Sequence, residues 1–308
     1  MILRLLGQQF HRAMARCPGG AEVYLSALSL FSRRLPTNVA AHLASSVNRA
    51  SWPEVQFRPR RVEVAEGIKI RIIPHLGQPD AEVLFYQQLQ YERPVFEWLR
   101  QNAGQYDTVI EIGANVGLYT VFFDALIKQQ PGNLRTVISF EPAREAYRRL
   151  LINLQNNDVG PNITTFQAAV GITSGFQAFY EPTGHICNGS FLSDFAHIFG
   201  SDVLETIVPV IGVEELERFL KGKKCLIKID VEGFEPTLIS ALKPLIERYR
   251  PHLILEVLNA TVQQLNDLEI LTKRKKFLLT ADGPQLAETF FSLPHDRDWL
   301  VQPDYPSA

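Results

Sequence analysis

Glu111, Glu141 and the acidic trio Asp230, Glu232 and Glu235 each end or closely follow a short apolar run, and their surroundings limit what they can bind or catalyse. The first run, VIEI, passes into Gly113-Ala114-Asn115-Val116-Gly117 and then into an apolar helical stretch. Gly113 permits a sharp turn, and Gly117 permits close approach of helix to strand, or of a ligand to the backbone. A dinucleotide-binding turn needs G-x-G-x-x-G, so that pyrophosphate meets bare backbone at a helix N-terminus. Here Asn115 holds the middle-glycine position. Glu111, two residues before Gly113, would repel a pyrophosphate but could accept a hydrogen bond from an ammonium group. Glu141 directly follows TVISF, where its carboxylate could accept from both hydroxyls of a ribose. Its separation from Gly113 exceeds the roughly 20 residues of the dinucleotide fingerprint. A cation that carries a ribose fits both acids, and S-adenosylmethionine has an ammonium, a sulfonium and a ribose.

Methyl transfer from a sulfonium is an in-line displacement, so most of the acceleration comes from holding acceptor, methyl carbon and sulfur in line. A neutral hydroxyl is a poor nucleophile and gains from a carboxylate or histidine base, or from a metal that lowers its pKa. Asp230 and Glu232, just beyond LIKI, are the candidate catalytic residues, and the pair also suits a bridging divalent metal such as magnesium. Strand alternation puts Lys228 on the face of Asp230, so a structural ion pair competes with contact to cofactor or acceptor. Glu235, ahead of Pro236, is expected to cap or begin the next helix. His185, in the polar stretch Gly184 to Ser190, offers an imidazole base, against the plainer reading of a surface or packed histidine. Glu256, in LILEV, either lines the acceptor side or is a buried, hydrogen-bonded carboxylate.

Between Tyr91 and Val257 the chain resembles the FkbM family of S-adenosylmethionine-dependent methyltransferases. The resemblance rests on EIGANVGLYT from Glu111, FEPAREAYRRLLINLQNN from Phe140, QAAVG from Gln167 and LIKIDVEGFE from Leu226, the last being the most family-specific. It implies the class I, Rossmann-like methyltransferase fold, with a mostly parallel sheet of seven strands. It also implies that Glu111, Gly113, Ala114, Asn115 and Gly117 line the methionine end of the cofactor, that Glu141 holds the ribose, and that Pro142 and Ala168 flank the adenine. O-methylation of a hydroxyl on a sugar, other glycan or small secondary metabolite is the implied reaction. Two departures stand out: the first sixty or so residues match nothing in the shared core, and Phe234 stands where a small residue is expected.

Positioning these residues requires an α/β, doubly wound sheet, and from Asp107 onward short β-rich runs do alternate with helical stretches. Strands are expected at Thr108 to Ile112, Thr136 to Phe140, Ile163 to Gln167, Cys225 to Ile229 and Leu253 to Val257, with late strands near Phe277 to Thr280 and Trp299 to Gln302. Helices are expected at Leu118 to Lys128, Arg144 to Asn156, Glu214 to Leu220 and Glu235 to Glu247. Upstream, Val62 to Ile73 reads as a hairpin turning at Glu66-Gly67, and Ala81 to Asn102 as a helical stretch split by Pro94. Residues 1–60 form a helical N-terminal extension in this reading, and residues 61–308 the methyltransferase domain.

Composition narrows the partners. Hydrophobic residues make up 46% and charged residues 21%, with a formal net charge of −2, the balance of a soluble globular protein. The basic clusters, Lys221 with Lys223 and Lys224, and Lys273 to Lys276, read as solvated helix ends or turns, so no nucleic-acid partner is expected. Cys17, Cys187 and Cys225 lack metal-site or disulfide spacing, which fits a reduced, cytoplasmic setting. MILRLLGQQFHRAM reads as an amphipathic helix, too short to span a bilayer, with peripheral membrane contact as the alternative. A nicotinamide-dependent oxidoreductase is disfavoured by the missing middle glycine and by Glu111. An amino-methylating nucleic-acid enzyme would carry Asn/Asp-Pro-Pro-aromatic where this chain has IDVEGFE. A methyltransferase-like binding protein without turnover is disfavoured by the intact acids after three strands. Oligomeric state has no sequence signature here.

Overall fold

A computed structural model describes residues 20–36, 39–40, 43–44, 47, 57–76, 78–129 and 132–303. The N-terminal segment MILRLLGQQFHRAM and Cys17 lie outside the described residues. The chain divides into two compact units, Met1–Arg93 and Pro94–Ala308.

In the first unit, a helix at Gly20–Ser32 contributes Leu25 to a small core with Phe57, Leu84 and Phe85. The expected hairpin is present: β1 (Arg60–Ala65) pairs antiparallel with β2 (Ile68–Ile72), and Gly67 between them adopts φ 75°. Ile68, Ile70 and Ile72 are buried while Lys69 and Arg71 are exposed, as strand alternation requires. The helical stretch expected from Ala81 is corrected in its first half. Pro79–Leu84 is a single 3-10 segment, and the regular helix spans only Arg93–Asn102. Between them the chain runs extended beside β1: Glu63 donates its N–H to the Gln87 carbonyl at 2.9 Å, and Leu89 donates to the Glu63 carbonyl at 2.8 Å. Pairing with the hairpin has overridden a helical apolar spacing.

The second unit is built on an eight-stranded sheet. Its strands are β3 (Thr108–Ile112), β4 (Thr136–Phe140), β5 (Ile163–Phe166), β9 (Cys225–Ile229), β10 (His252–Glu256), β11 (Lys275–Thr280), β12 (Gly283–Ala287) and β13 (Asp298–Gln302), in spatial order β12-β11-β13-β10-β9-β3-β4-β5. The run from β10 through β5 is parallel, and β13 lies antiparallel between β10 and β11. The α/β, mostly parallel, doubly wound class is therefore the observed one, with one strand more than the seven expected. The extra strand, β12, turns back from β11 at an edge, and only one of its residues, Leu286, is a large apolar one. A half-exposed edge strand needs no apolar face, so it leaves little pattern to read. By contrast β3, β9 and β10 are buried at every position, which is why they read as apolar runs interrupted only at Thr108, Glu111, Lys228, His252 and Glu256.

A separate three-stranded sheet, β6 (Ala169–Gly171), β8 (Val203–Gly212) and β7 (Gly175–Pro182), is inserted before β9. It was not expected as a sheet. Its inner side packs Ala169, Phe179, Val208 and Val210 on Ala143 and Ala146, while Phe176, Leu204 and Ile207 face solvent. The helix Glu235–Tyr249 covers the main sheet with Leu238, Ile239, Leu242 and Ile246, all fully buried. Phe234, just before it, fills rather than disrupts the interior, meeting Phe191 edge-on at 5.1 Å. Leu242→Ala is expected to cost about 2–5 kcal/mol in urea unfolding. Leu286→Ala, at an exposed position, should stay within about 0.5 kcal/mol of the parent.

Candidate active site at the strand ends

Strand order reverses at β3, whose parallel neighbours β4 and β9 lie on opposite sides, and in open sheets of this kind ligands lodge beyond the carboxyl ends of the strands at that point. The candidate residues gather there because each directly ends or follows a strand. Gly113 leaves β3 with φ 90°, and a Cβ placed on it would stand 1.7 Å from the Asp230 carbonyl oxygen, so no side chain fits. Gly117, φ 82°, begins the helix Leu118–Gln129 close against Leu150, whose Cγ would lie 2.9 Å from an added Cβ. Between them Asn115 is left-handed at φ 51°, a conformation that asparagine tolerates better than most residues.

Glu111 is 1% exposed and its Oε2 accepts hydrogen bonds from the Thr120 and Ser139 hydroxyls at 2.7 and 2.8 Å. Burial pushes its pKa up to about 7 against the opposing pull of those two donors. Lys228 is its register partner on β9. Glu141, 6% exposed, accepts the Asn115 N–H on Oε2 and the Ala143 N–H on Oε1, both at 2.7 Å. It thereby ties the Gly113 to Gly117 loop to the start of the next helix. Burial raises its pKa to about 7 despite the two backbone donors. Pro142 and the buried Ala168 follow the ends of β4 and β5.

Beyond β9, Lys228 donates to Asp230 Oδ2 at 2.8 Å and also lies 4.4 Å from the centre of the Tyr119 ring, so the ion pair anticipated from alternation is present. Glu235 acts as a loop brace, its carboxylate accepting the Val231 N–H at 2.9 Å and the Gly233 N–H at 3.1 Å. Glu232, between them, is left-handed at φ 52°, which for a glutamate costs about 1–2 kcal/mol. Its conformation is held by the Ser190 hydroxyl, which donates to its carbonyl at 2.8 Å, while Asn188 donates to Oε1 at 3.4 Å. Burial first, then the charges of Asp230 and Glu235, raises the Glu232 pKa well above the usual carboxylate range.

Glu256 ends β10, 4% exposed, with Oε1 paired to Arg297 Nε at 2.8 Å and Oε2 buried without a hydrogen-bond partner among the described residues. Asp230, Glu232 and Glu256 each bring a carboxylate oxygen to within 4.8 Å of the others. Of the polar loop from Gly184 to Ser190, Asn188 and Ser190 reach this group, whereas His185 is exposed with its ring 6.0 Å from that of Phe199. Sequence reading missed Arg297, Asn188 and Ser190 as members of the site. Arg297 stands in an irregular tail with no motif, and the other two were visible only as turn-forming residues.

A family model described as the methyltransferase FkbM domain matches residues 111–278. No curated protein matches the chain. Among solved structures, a methyltransferase FkbM from Methylobacillus flagellatus is similar at 15% identity and TM-score 0.41, over 64% of this chain and 44% of that one. The chain thus spans less than half the length of that relative. An S-adenosylmethionine-dependent methyltransferase from Agrobacterium tumefaciens is similar at 10% identity and TM-score 0.43, covering 83% of this chain and 72% of that one. A ribosomal protein L11 methylase from Lactobacillus delbrueckii subsp. bulgaricus is similar at 10% identity and TM-score 0.40, over 80% of this chain and 100% of that one.

The close contact at Gly113 gives a direct test of this geometry. Gly113→Ala combines a steric clash with a positive φ, and should lower stability by about 3 kcal/mol or more in chemical denaturation. A loss under about 1 kcal/mol would mean that residue 113 does not lie against the Asp230 carbonyl.

Proposed function

The chain belongs to the FkbM family of methyltransferases, and on that premise we propose that it moves a methyl group from S-adenosylmethionine to a hydroxyl oxygen of a small acceptor, a sugar or secondary metabolite. The observation that carries this reading is the set of carboxylates at consecutive strand ends: Glu141 after β4, Glu111 on β3, Asp230 and Glu232 after β9, Glu256 on β10. Such a set favours a cationic ligand and disfavours a pyrophosphate. The buried Asn115 Oδ1, without a hydrogen-bond partner among the described residues, leaves an acceptor for an N–H or O–H of the same ligand.

S-adenosylmethionine supplies an electrophilic methyl carbon on a sulfonium. In this reading Gly113, Ala114, Asn115 and Gly117 present backbone to it, with Glu111 beneath them. Glu141 accepts from the ribose with the lone pairs left over from its two backbone bonds. Pro142 and Ala168 flank the base. Asp230 and Glu232 face the acceptor hydroxyl, orient it and favour the loss of its proton. The Lys228 bond and the Asn188 bond hold those two carboxylates in place before any ligand arrives, the arrangement that makes electrostatic stabilisation effective.

Glu141→Gln should weaken S-adenosylmethionine binding about tenfold in calorimetry, the loss of one charge-assisted hydrogen-bond acceptor. NAD, titrated in parallel, should show no binding. Because the Glu141 pKa lies near 7 rather than 4.5, the carboxylate form becomes available as pH rises. Affinity for S-adenosylmethionine should therefore increase about tenfold between pH 6 and pH 8, and a flat profile would remove Glu141 from the ribose position. Asp230→Asn should abolish most methyl transfer to an identified acceptor while leaving donor affinity within about threefold; full turnover in this variant would end its catalytic assignment.

A further inference from the structure

The oxygens of Asp230, Glu232 and Glu256 converge from two adjacent strand ends that are far apart in sequence. Each carboxylate is engaged through one oxygen: Lys228 on Asp230 Oδ2, Asn188 on Glu232 Oε1 and Arg297 on Glu256 Oε1. That pattern, in which an outer partner takes one oxygen and orients the other, is how ligating carboxylates are held in metal sites. Independently of the clustering, Glu256 Oε2 is buried, charged in its ionised form, and without any partner among the described residues. An orphaned buried carboxylate oxygen is costly unless something positive meets it. Asp298 adds further negative charge beside Glu256, as Glu235 does beside Glu232, with Arg297 opposing both.

We infer that Asp230, Glu232 and Glu256 form a binding site for one hard divalent cation on the acceptor side of the strand ends. The donor set is oxygen alone, with no histidine or cysteine, which selects magnesium, manganese or calcium over zinc or copper. Two ligands of one ion can stand apart by at most twice the ion–oxygen distance, about 4.2 Å for magnesium and about 4.6–5.2 Å for calcium. Mutual distances within 4.8 Å therefore allow the three oxygens to share an ion with little movement. The inference deepens the proposed function: Asp230 and Glu232 act on the acceptor hydroxyl through the ion. The cation lowers the pKa of the hydroxyl bound to it, the proton passes to water, and the resulting alkoxide attacks the methyl carbon as the carbon–sulfur bond breaks.

The test is a manganese titration of the metal-free full chain followed by electron paramagnetic resonance, with S-adenosylmethionine binding measured by calorimetry on the same samples. One saturable manganese site per chain is expected, displaced by magnesium or by calcium. Which of the two displaces at lower concentration identifies the preferred ion. Glu256→Gln and Glu232→Gln should each weaken it at least about tenfold, with S-adenosylmethionine affinity within about threefold of the parent. Glu232 is partly exposed, so its variant decides the matter if Glu256→Gln fails to fold. Absence of a saturable site in the parent, or unchanged manganese affinity in a folded variant, overturns the metal site. Manganese binding without S-adenosylmethionine binding would instead overturn the donor reading and leave the metal site standing.

Discussion

The carbonyl of Asp230 occupies the space that a Cβ on residue 113 would need, and that contact couples the loops that carry the candidate site. Backbone pairing extends the coupling past the strands themselves. Asp230 donates its N–H to the Ile112 carbonyl at 3.0 Å, and Gly113 and Ala114 both donate to the Phe140 carbonyl, at 3.0 and 2.9 Å. Buried backbone groups must be paired, so the ends of β4, β3 and β9 cannot move independently. The position of Glu141 sets Asn115, the course of Gly113 sets Asp230, and Asp230 leads into the strained Glu232.

Electrostatically the same region is set apart by acids drawn out of water. Burial outweighs hydrogen bonding at Glu111, Glu141 and Glu235, leaving each near pKa 7. Lys228 and Arg297 meet Asp230 and Glu256, yet one oxygen of Glu256 has no partner among the described residues. A group of carboxylates in this condition gains from any cation that enters, because the charge it brings offsets a desolvation cost already incurred on folding. The proposed donor, a sulfonium, and the inferred divalent ion both belong to that class.

Parts of this architecture were legible locally. β3, β4 and β9 occur at the expected residues, since strands buried on both faces appear as largely apolar runs bounded by turns. Asp230, Glu141 and the glycine turn could be placed at strand ends for the same reason, and the pairing of Lys228 with Asp230 followed from alternation. The inserted sheet was not legible, because Phe176, Leu204 and Ile207 sit on its solvent side and blur the alternation that would have announced it. Between Ala81 and Leu89, apolar residues at helical spacing proved compatible with a 3-10 turn and an extended segment bonded to β1. β12 has too few apolar residues to be seen.

What the amino-acid order determined alone was each strand–turn–helix unit and the acid at its end, since these depend on neighbours within a few residues. The family followed from the same local segments. Only the tertiary structure decided which acids meet: Glu256 with Asp230 and Glu232, Arg297 behind Glu256, and Asn188 and Ser190 around Glu232. Those meetings depend on β9 lying beside β10 and on the chain of β13 beginning next to Glu256. Strand order is chosen by the packing of whole faces, and no local period along the chain encodes it.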